Sequence, residues 1–281
     1  MKKHIITSAA ALFLFSGVAM AQIELNAMPK PGPTPTLNIN QPKSFRLANG
    51  LTVMIVENHK LPHVTMNLTM DMPPIVEGDK AGISEIMADQ LGNGTKTIAK
   101  DEFNKKVDFL GANLDFNSRG ASAGTLSKYF PQVIKLMADA VVNPKFDESE
   151  IQKSKDRMLE GLKSQEKNAS TIASKVYNAL QYGKNTSRGE FETEQTIKNI
   201  TTADLNNYYQ KYYSPDNSYL VIVGDVNYAD AKKLVEQGFS SWKKSGIVYP
   251  KLEPANNPKT TEIAVVDVPT AVQSVIKVGN L

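Results

Sequence analysis

The chain has 281 residues, of which 41% are hydrophobic and 22% charged. That is enough for one or two globular domains and too polar for a polytopic membrane protein. Lys and Arg total 32 against 29 Asp and Glu, a formal charge of +3 that is too slight for a nucleic-acid footprint. Cysteine is absent, which excludes disulfides, thiolate metal sites, cysteine nucleophiles and lipid attachment through an N-terminal cysteine.

Residues 1–21 place Lys2 and Lys3 ahead of an apolar stretch and end in Ala19-Met20-Ala21, the pattern of a secretory signal peptide with an A-x-A cleavage site. The stretch is short for a hydrocarbon core and runs into small residues, so no stable membrane anchor is expected after cleavage. The mature protein is expected to start at Gln22 and to be secreted, into the periplasm. Cleavage removes His4 and leaves His59 and His63. Residues 22–43 carry MPKPGPTPTL and QP, a proline-rich composition that predicts an extended leader without chemistry of its own.

The folded part is expected over 44–250. Asn49-Gly50 lies between two apolar runs in 44–56, the strongest short-range hairpin signal. In 63–71, Val64, Met66, Leu68 and Met70 alternate with polar residues, which predicts a strand with one buried face. Over 81–91 the period changes, with Ile83, Ile86, Met87 and Leu91 forming one helical stripe. A second helix over about 101–110 buries Phe103, Val107 and Leu110 and stops at Gly111. Alternation returns in 112–118, with Leu114 and Phe116 on one face and Asn113, Asp115 and Asn117 on the other.

Helices are then predicted over 130–142, from Asp147 onward with Glu150 completing a capping-box-like start, and over about 170–182. Thr201 with Asp204 opens another, whose Leu205, Tyr208, Tyr209 and Tyr212 share a face until Ser214-Pro215 breaks it. These aromatics read as core rather than as a ligand platform. The run YLVIVG over 219–224 reads as a strand buried on both faces, followed by a helix with Leu234, Val235, Phe239 and Trp242 inward. Strands and helices mix without strict alternation, an α+β pattern of a mixed sheet packed with helices. Residues 251–281 read as a linker and two strand-like runs, 261–266 and 271–278, without helices to cover them.

Chemistry-bearing residues are few. Glu85 and Asp89, spaced i and i+4, project opposite the apolar stripe of their helix. Such a pair can hold a hard cation, act as acid and base, or simply form a solvated helix face. His59 and His63 are also four apart, but Pro62 between them disfavours a shared helical face. No G-x-S-x-G elbow is present, and Gly92-Asn93-Gly94-Thr95-Lys96 lacks the spacing of a phosphate loop.

The order of segments is itself informative. Asn49-Gly50-Leu51-Thr52-Val53, Gly82 opening a helix that ends before Gly94-Thr95, Leu110-Gly111-Ala112, Asn143-Pro144-Lys145-Phe146, Ile200-Thr201-Thr202-Ala203-Asp204-Leu205, Tyr213-Ser214-Pro215-Asp216-Asn217 and Val223-Gly224-Asp225-Val226 resemble the insulinase-like zinc peptidases, whose smaller members include processing-peptidase subunits. The resemblance covers about 44–279, nearly all of the mature chain. Active members carry H-x-x-E-H, two zinc-binding histidines around a general base, with a downstream glutamate completing the site. Laid on this chain, the motif falls on Glu85-Ile86-Met87-Ala88-Asp89, and the downstream ligand on Gly161, beside Glu160. Glu85 and Asp89 stand where histidines belong, Ala88 where the base belongs, and Gly161 offers no donor.

The resemblance therefore implies a non-catalytic relative with no catalytic residues and no metal of its own, zinc being expected only in a catalytic partner. It implies a peptidase-like subunit that pairs with a homologous zinc peptidase subunit and helps form a chamber for an extended peptide. Asp115, Phe116, Asn117 and Ser118 lie where members use a sheet edge to pair with peptide, a contact that needs no particular side chain. Two other readings stand beside it: a zinc-dependent metalloendopeptidase with a divergent metal site, and a stand-alone peptide-binding scaffold. Family subunits carry two repeats of this domain, so 251–281 is expected to hold the first strands of a second, truncated repeat.

Overall fold

The computed structural model describes residues 41–249, together with Gly32, 256–257, 259–269 and 271–280. The expected signal peptide and most of the expected leader lie outside the described residues. Among the described residues no helix is long and apolar enough to cross a membrane.

The sheet begins as the Asn-Gly signal predicts. Strands β1 (Lys43–Arg46) and β2 (Thr52–Glu57) pair antiparallel, with Phe45 opposite Val53. Strand β3 (His63–Met70) buries Val64, Met66, Leu68 and Met70. Strands β4 (Asn113–Asn117) and β5 (Gly120–Leu126) form a second hairpin, and β6 (Ser218–Gly224) inserts between β2 and β3. The order is β1-β2-β6-β3-β5-β4, with β6 parallel to β2 and antiparallel to β3. The sheet is thus mixed, and β4 is its last strand.

Register explains which face is core. Val53, Leu220, Leu68, Ala121 and Phe116 lie in one row across the sheet, and Ile55, Ile222, Met66, Ala123 and Leu114 in the next. These rows point to the helices. The alternate rows, such as Met54, Val221, Asn67, Ser122 and Asp115, form the open face. The reading of 219–224 as buried on both faces is corrected accordingly: Leu220 and Ile222 are buried, whereas Tyr219 is exposed and Val221 and Val223 are half-buried.

The helices follow the apolar periods. They are α1 (Ile83–Gln90), α2 (Lys100–Phe109), α3 (Phe130–Val142), α4 (Glu148–Gln165), α5 (Ala169–Tyr182), α6 (Glu194–Asn199), α7 (Thr202–Tyr212) and α8 (Tyr228–Phe239). Asp147 caps α4 by accepting from the Ser149 N–H, but Glu150 does not close a box with it. Its carboxylate is taken by Lys100 and Lys153. The Thr201–Asp204 box at α7 is complete. Helix α5 buries only Ala179, and Gln181 Nε2 donates to the carbonyl of Asn280 at 3.1 Å. The runs expected as strands in 261–266 and 271–278 have no ladder among the described residues, and Ile263, Val265, Val272 and Ile276 are exposed.

Candidate functional site

The helix that carries Glu85, Ala88 and Asp89 is held at both ends by groups distant in sequence. Its N-cap, Gly82, has no side chain and sits at φ +101°. The free N–H groups of its first turn are instead met by the Glu77 carboxylate, which accepts from Gly82 at 2.7 Å and Ser84 at 3.3 Å. Glu190 in turn accepts from the N–H groups of Glu77 and Gly78 at 2.9 Å, so the 72–82 loop is tied to the 183–193 loop. At the other end Gly92 has φ +83°, and a β-carbon there would fall 2.7 Å from the Phe116 ring. Only glycine lets α1 leave so close to β4.

Four positions of α1 face the core: Ile83, Ile86, Met87 and Gln90. Glu85 and Asp89 are exposed on the far side with Ala88 half-buried beside them, the arrangement the spacing predicts. Burial first, then the charges of Glu192, Asp89 and Glu77, push the Glu85 carboxyl above its ordinary range. Glu77 is also raised, chiefly by burial.

Asp89 does not stand as a free ligand. Its Oδ2 accepts from Arg157 Nη2 of α4 at 2.7 Å. Arg157 Nη2 also lies 3.0 Å from Ser154 Oγ, which accepts from Gln90 Nε2 at 3.0 Å. Gly161 lies one turn beyond Arg157, with open space where its β-carbon would project. Ser154, Arg157 and Gly161 follow i, i+3, i+7 and share a face of α4, from which Glu160 is turned by about 100°. His59 is engaged elsewhere, its Nδ1 lying 2.7 Å from Asp225 Oδ1. Among the described residues no group of three His, Cys, Asp or Glu side chains is placed to hold a metal ion. A catalytic zinc takes three protein ligands, usually with imidazole among them. Two carboxylates, one already paired with a guanidinium, do not fit it.

The sheet edge lies beside this helix. In β4, Asn113, Asp115 and Asn117 are exposed on the open face while Leu114 and Phe116 turn inward, as alternation predicts. No strand pairs with the outer edge of β4 among the described residues. Ser118 begins the turn to β5 and lines a polar cleft of about 230 Å³ together with Arg119, Glu77, Glu190, Glu192 and Tyr208. Sequence reasoning named Asp115, Phe116, Asn117 and Ser118 but missed Arg157, Glu77, Glu190 and Glu192. Arg157 and Glu190 act across long sequence separations that no local pattern records, whereas Glu77 lies only five residues before Gly82 and carries no N-cap signature of its own.

Comparison with known proteins identifies the family and the fold. Residues 52–193 match the family model described as Insulinase (Peptidase family M16), and residues 199–278 the one described as Peptidase M16 inactive domain. The chain belongs to peptidase family M16. It is similar to the mitochondrial cytochrome b-c1 complex subunit 1 of Bos taurus, 26% identical over 204 residues, covering 69% of this chain and 42% of the relative. It is also similar to an uncharacterized zinc protease, YmxG, of Bacillus subtilis (strain 168), 25% identical over 211 residues, covering 73% and 51%. The chain thus spans about half the length, or less, of these M16 relatives. Among solved structures, a peptidase M16 inactive domain from Pseudomonas fluorescens superposes with TM-score 0.68 at 24% identity, covering 78% of this chain and 55% of that one. The α+β architecture is therefore that of an M16 domain, a peptidase-like scaffold.

Proposed function

We propose that this M16 chain is a non-catalytic, peptide-binding subunit that pairs with a zinc-bearing homologue and supplies one wall of a peptide chamber. One observation carries the reading. The helix where active members grip zinc offers Glu85, Ala88 and Asp89, with Asp89 held by Arg157, while among the described residues no strand pairs with the outer edge of the neighbouring β4. Zinc hydrolysis needs ligands, an open position and a base in reach of the bound water. Peptide pairing along an edge needs only main-chain N–H and C=O groups. Among the described residues no ligand group of the first kind is assembled, and the outer edge of β4 offers groups of the second kind, which supports the reading.

An extended peptide added beside β4 runs past the outward face of α1 and toward the cleft at Ser118. Asp115, Phe116, Asn117 and Ser118 are its docking edge in this proposal. Export to the periplasm is proposed from the signal-peptide pattern of 1–21. The exposed apolar runs 261–266 and 271–278 are proposed to find their ladder partners in a second repeat of the domain.

The test uses the mature chain. Fluorescent peptides of extended character are titrated by anisotropy, and cleavage is followed with added zinc, with a chelator, and with a purified zinc-bearing homologue. Saturable binding without turnover, and turnover only with the homologue, support the proposal. Chelator-sensitive turnover by this chain alone favours a divergent metalloendopeptidase, and binding unaffected by any homologue favours a stand-alone scaffold.

A further inference from the structure

We propose that Arg157 is a resident cation that closes this site to divalent metal. The inference goes beyond the reading as a peptide-binding wall, because a metal site can be lost through its donors alone and here a second device is present. Four side chains form a continuous path between α1 and α4: Gln90 donates to Ser154 at 3.0 Å, Arg157 reaches Ser154 at 3.0 Å, and the same Arg157 nitrogen donates to Asp89 at 2.7 Å. Gln90 and Ser154 are 0% and 1% exposed, so the base of the path is fixed by the core. The Arg157 and Asp89 side chains are 61% and 43% exposed and meet at the surface, where the α1 motif presents its ligand positions.

The consequence follows from charge. A divalent ion needs a ligand carboxylate, and Asp89 already accepts a charge-assisted hydrogen bond whose donor is cationic at every accessible pH. An arriving metal must displace that donor and then remain close to a positive guanidinium. Glu85, exposed on the same side of α1, adds negative charge that draws a cation toward this face, and Arg157 is the positive charge on the path that offsets it. Arg157 thus does for the Asp89 charge what a metal does in an active member, without an open coordination position for water.

The experiment restores donors and then removes the arginine. The triple variant E85H/A88E/G161E supplies an imidazole, a base and a third carboxylate while keeping Asp89. It is compared with the same protein carrying R157M, and with one carrying K153M, which removes a cation of the same helix that pairs with Glu150 instead. Zinc affinity of each mature chain is read by competition with a chromophoric chelator at fixed pH and ionic strength, and far-UV circular dichroism and urea midpoints verify folding. R157Q, closer in polarity, repeats the comparison if R157M is unstable. R157M is expected to tighten zinc binding by about tenfold or more, and K153M to change it by less than about threefold. Equal affinity with and without Arg157, zinc binding by neither protein, or an equal gain from K153M overturns the proposal. Peptide binding is measured separately on the wild-type chain, so failure here leaves the wall reading intact and the converse also holds.

Discussion

Replacing Ser154 by alanine tests whether the α1–α4 contact has the polar anatomy described. In the native chain the Gln90 amide is wholly buried, its Nε2 donating to Ser154 and its Oε1 having no hydrogen-bond partner among the described residues. Ser154→Ala removes the remaining partner and leaves a complete primary amide unpaired in the core. Leaving a buried donor unsatisfied costs about 1–3 kcal/mol. The lost Arg157 contact adds little, because that guanidinium is largely solvated and water replaces the hydroxyl. The expected cost is therefore about 2 kcal/mol, or a fall of roughly 1 M in the urea midpoint at an m value of about 2 kcal/mol/M. Gln90→Met keeps the volume, removes the unpaired Oε1 and is expected to lie within about 1 kcal/mol of wild type on the stabilising side. In that background Ser154→Ala should cost less than about 0.5 kcal/mol, a coupling of at least about 1.5 kcal/mol across the pair. Urea unfolding of the four proteins measures the cycle. Additive effects, or a Ser154→Ala variant as stable as wild type, would refute the account of the contact.

Three further outcomes follow from groups around the site. Gly92→Ala forces an L-residue into φ +83° and drives a β-carbon onto Phe116; the backbone part alone costs roughly 1–2 kcal/mol, and adding Phe116→Leu should recover some of the lost urea midpoint. Asp204 is held down at a pKa of about 2 by the Thr201 hydroxyl and by Lys80, below its unfolded value, so its contribution is present above about pH 4 and disappears as pH falls toward 2. Asp204→Asn should therefore cost about 1 kcal/mol at pH 7 and progressively less as pH falls through about 2 in a pH series of urea titrations, the pair being partly solvated. Glu85 is shifted the other way, so the folded state favours its neutral form and stability is lost as pH rises through the raised value. Glu85→Gln should be more stable than wild type by a few tenths of a kcal/mol at pH 7, a difference that closes below about pH 4.

Legibility from sequence tracked how local the determinant was. The Asn49-Gly50 hairpin, the α1 stripe and the Thr201–Asp204 box are set within a few residues, and the structure places each where the pattern predicts. Strand β5 escaped notice because GASAGTL carries little β-propensity. Its small residues make sense only in three dimensions, where Ala121 and Ala123 lie on the buried face among larger neighbours. Helix α6 is six residues long, too short for a helical period to declare itself. The Glu190 carboxylate that holds the Glu77 and Gly78 N–H groups is likewise invisible to a window of a few residues, and Glu77, though only five residues before Gly82, does not stand at the N-cap position where a capping side chain is looked for. Of the site, the outward placement of Glu85 and Asp89 and the edge position of Asp115 could be read from periodicity. The partner of Asp89 could not, because Arg157 arrives from a helix 68 positions away.

The same division bears on how an M16 fold could be kept while the chemistry at its α1 motif changes, as the proposed function requires. On α1 the residues that hold the helix in place are Ile83, Ile86, Met87 and Gln90, all buried, and none is a ligand position. The motif positions Glu85 and Asp89 lie on the opposite, exposed side, with Ala88 half-buried beside them. Selection for the fold and for hydrolysis thus acts on different faces of one helix. Strand β4 shows a related separation: Leu114 and Phe116 secure it to the core, whereas its outer edge is defined by backbone alone. In the proposed reading, histidine can therefore be replaced on α1 without altering the edge of β4 on which a peptide strand would align. The Arg157–Asp89 pair bears on which of these states the molecule occupies. A merely decayed site would leave both α1 carboxylates exposed to solvent cations, whereas here a guanidinium that also reaches Ser154 is seated on one of them, the difference that the comparison of zinc affinity with and without Arg157 reads.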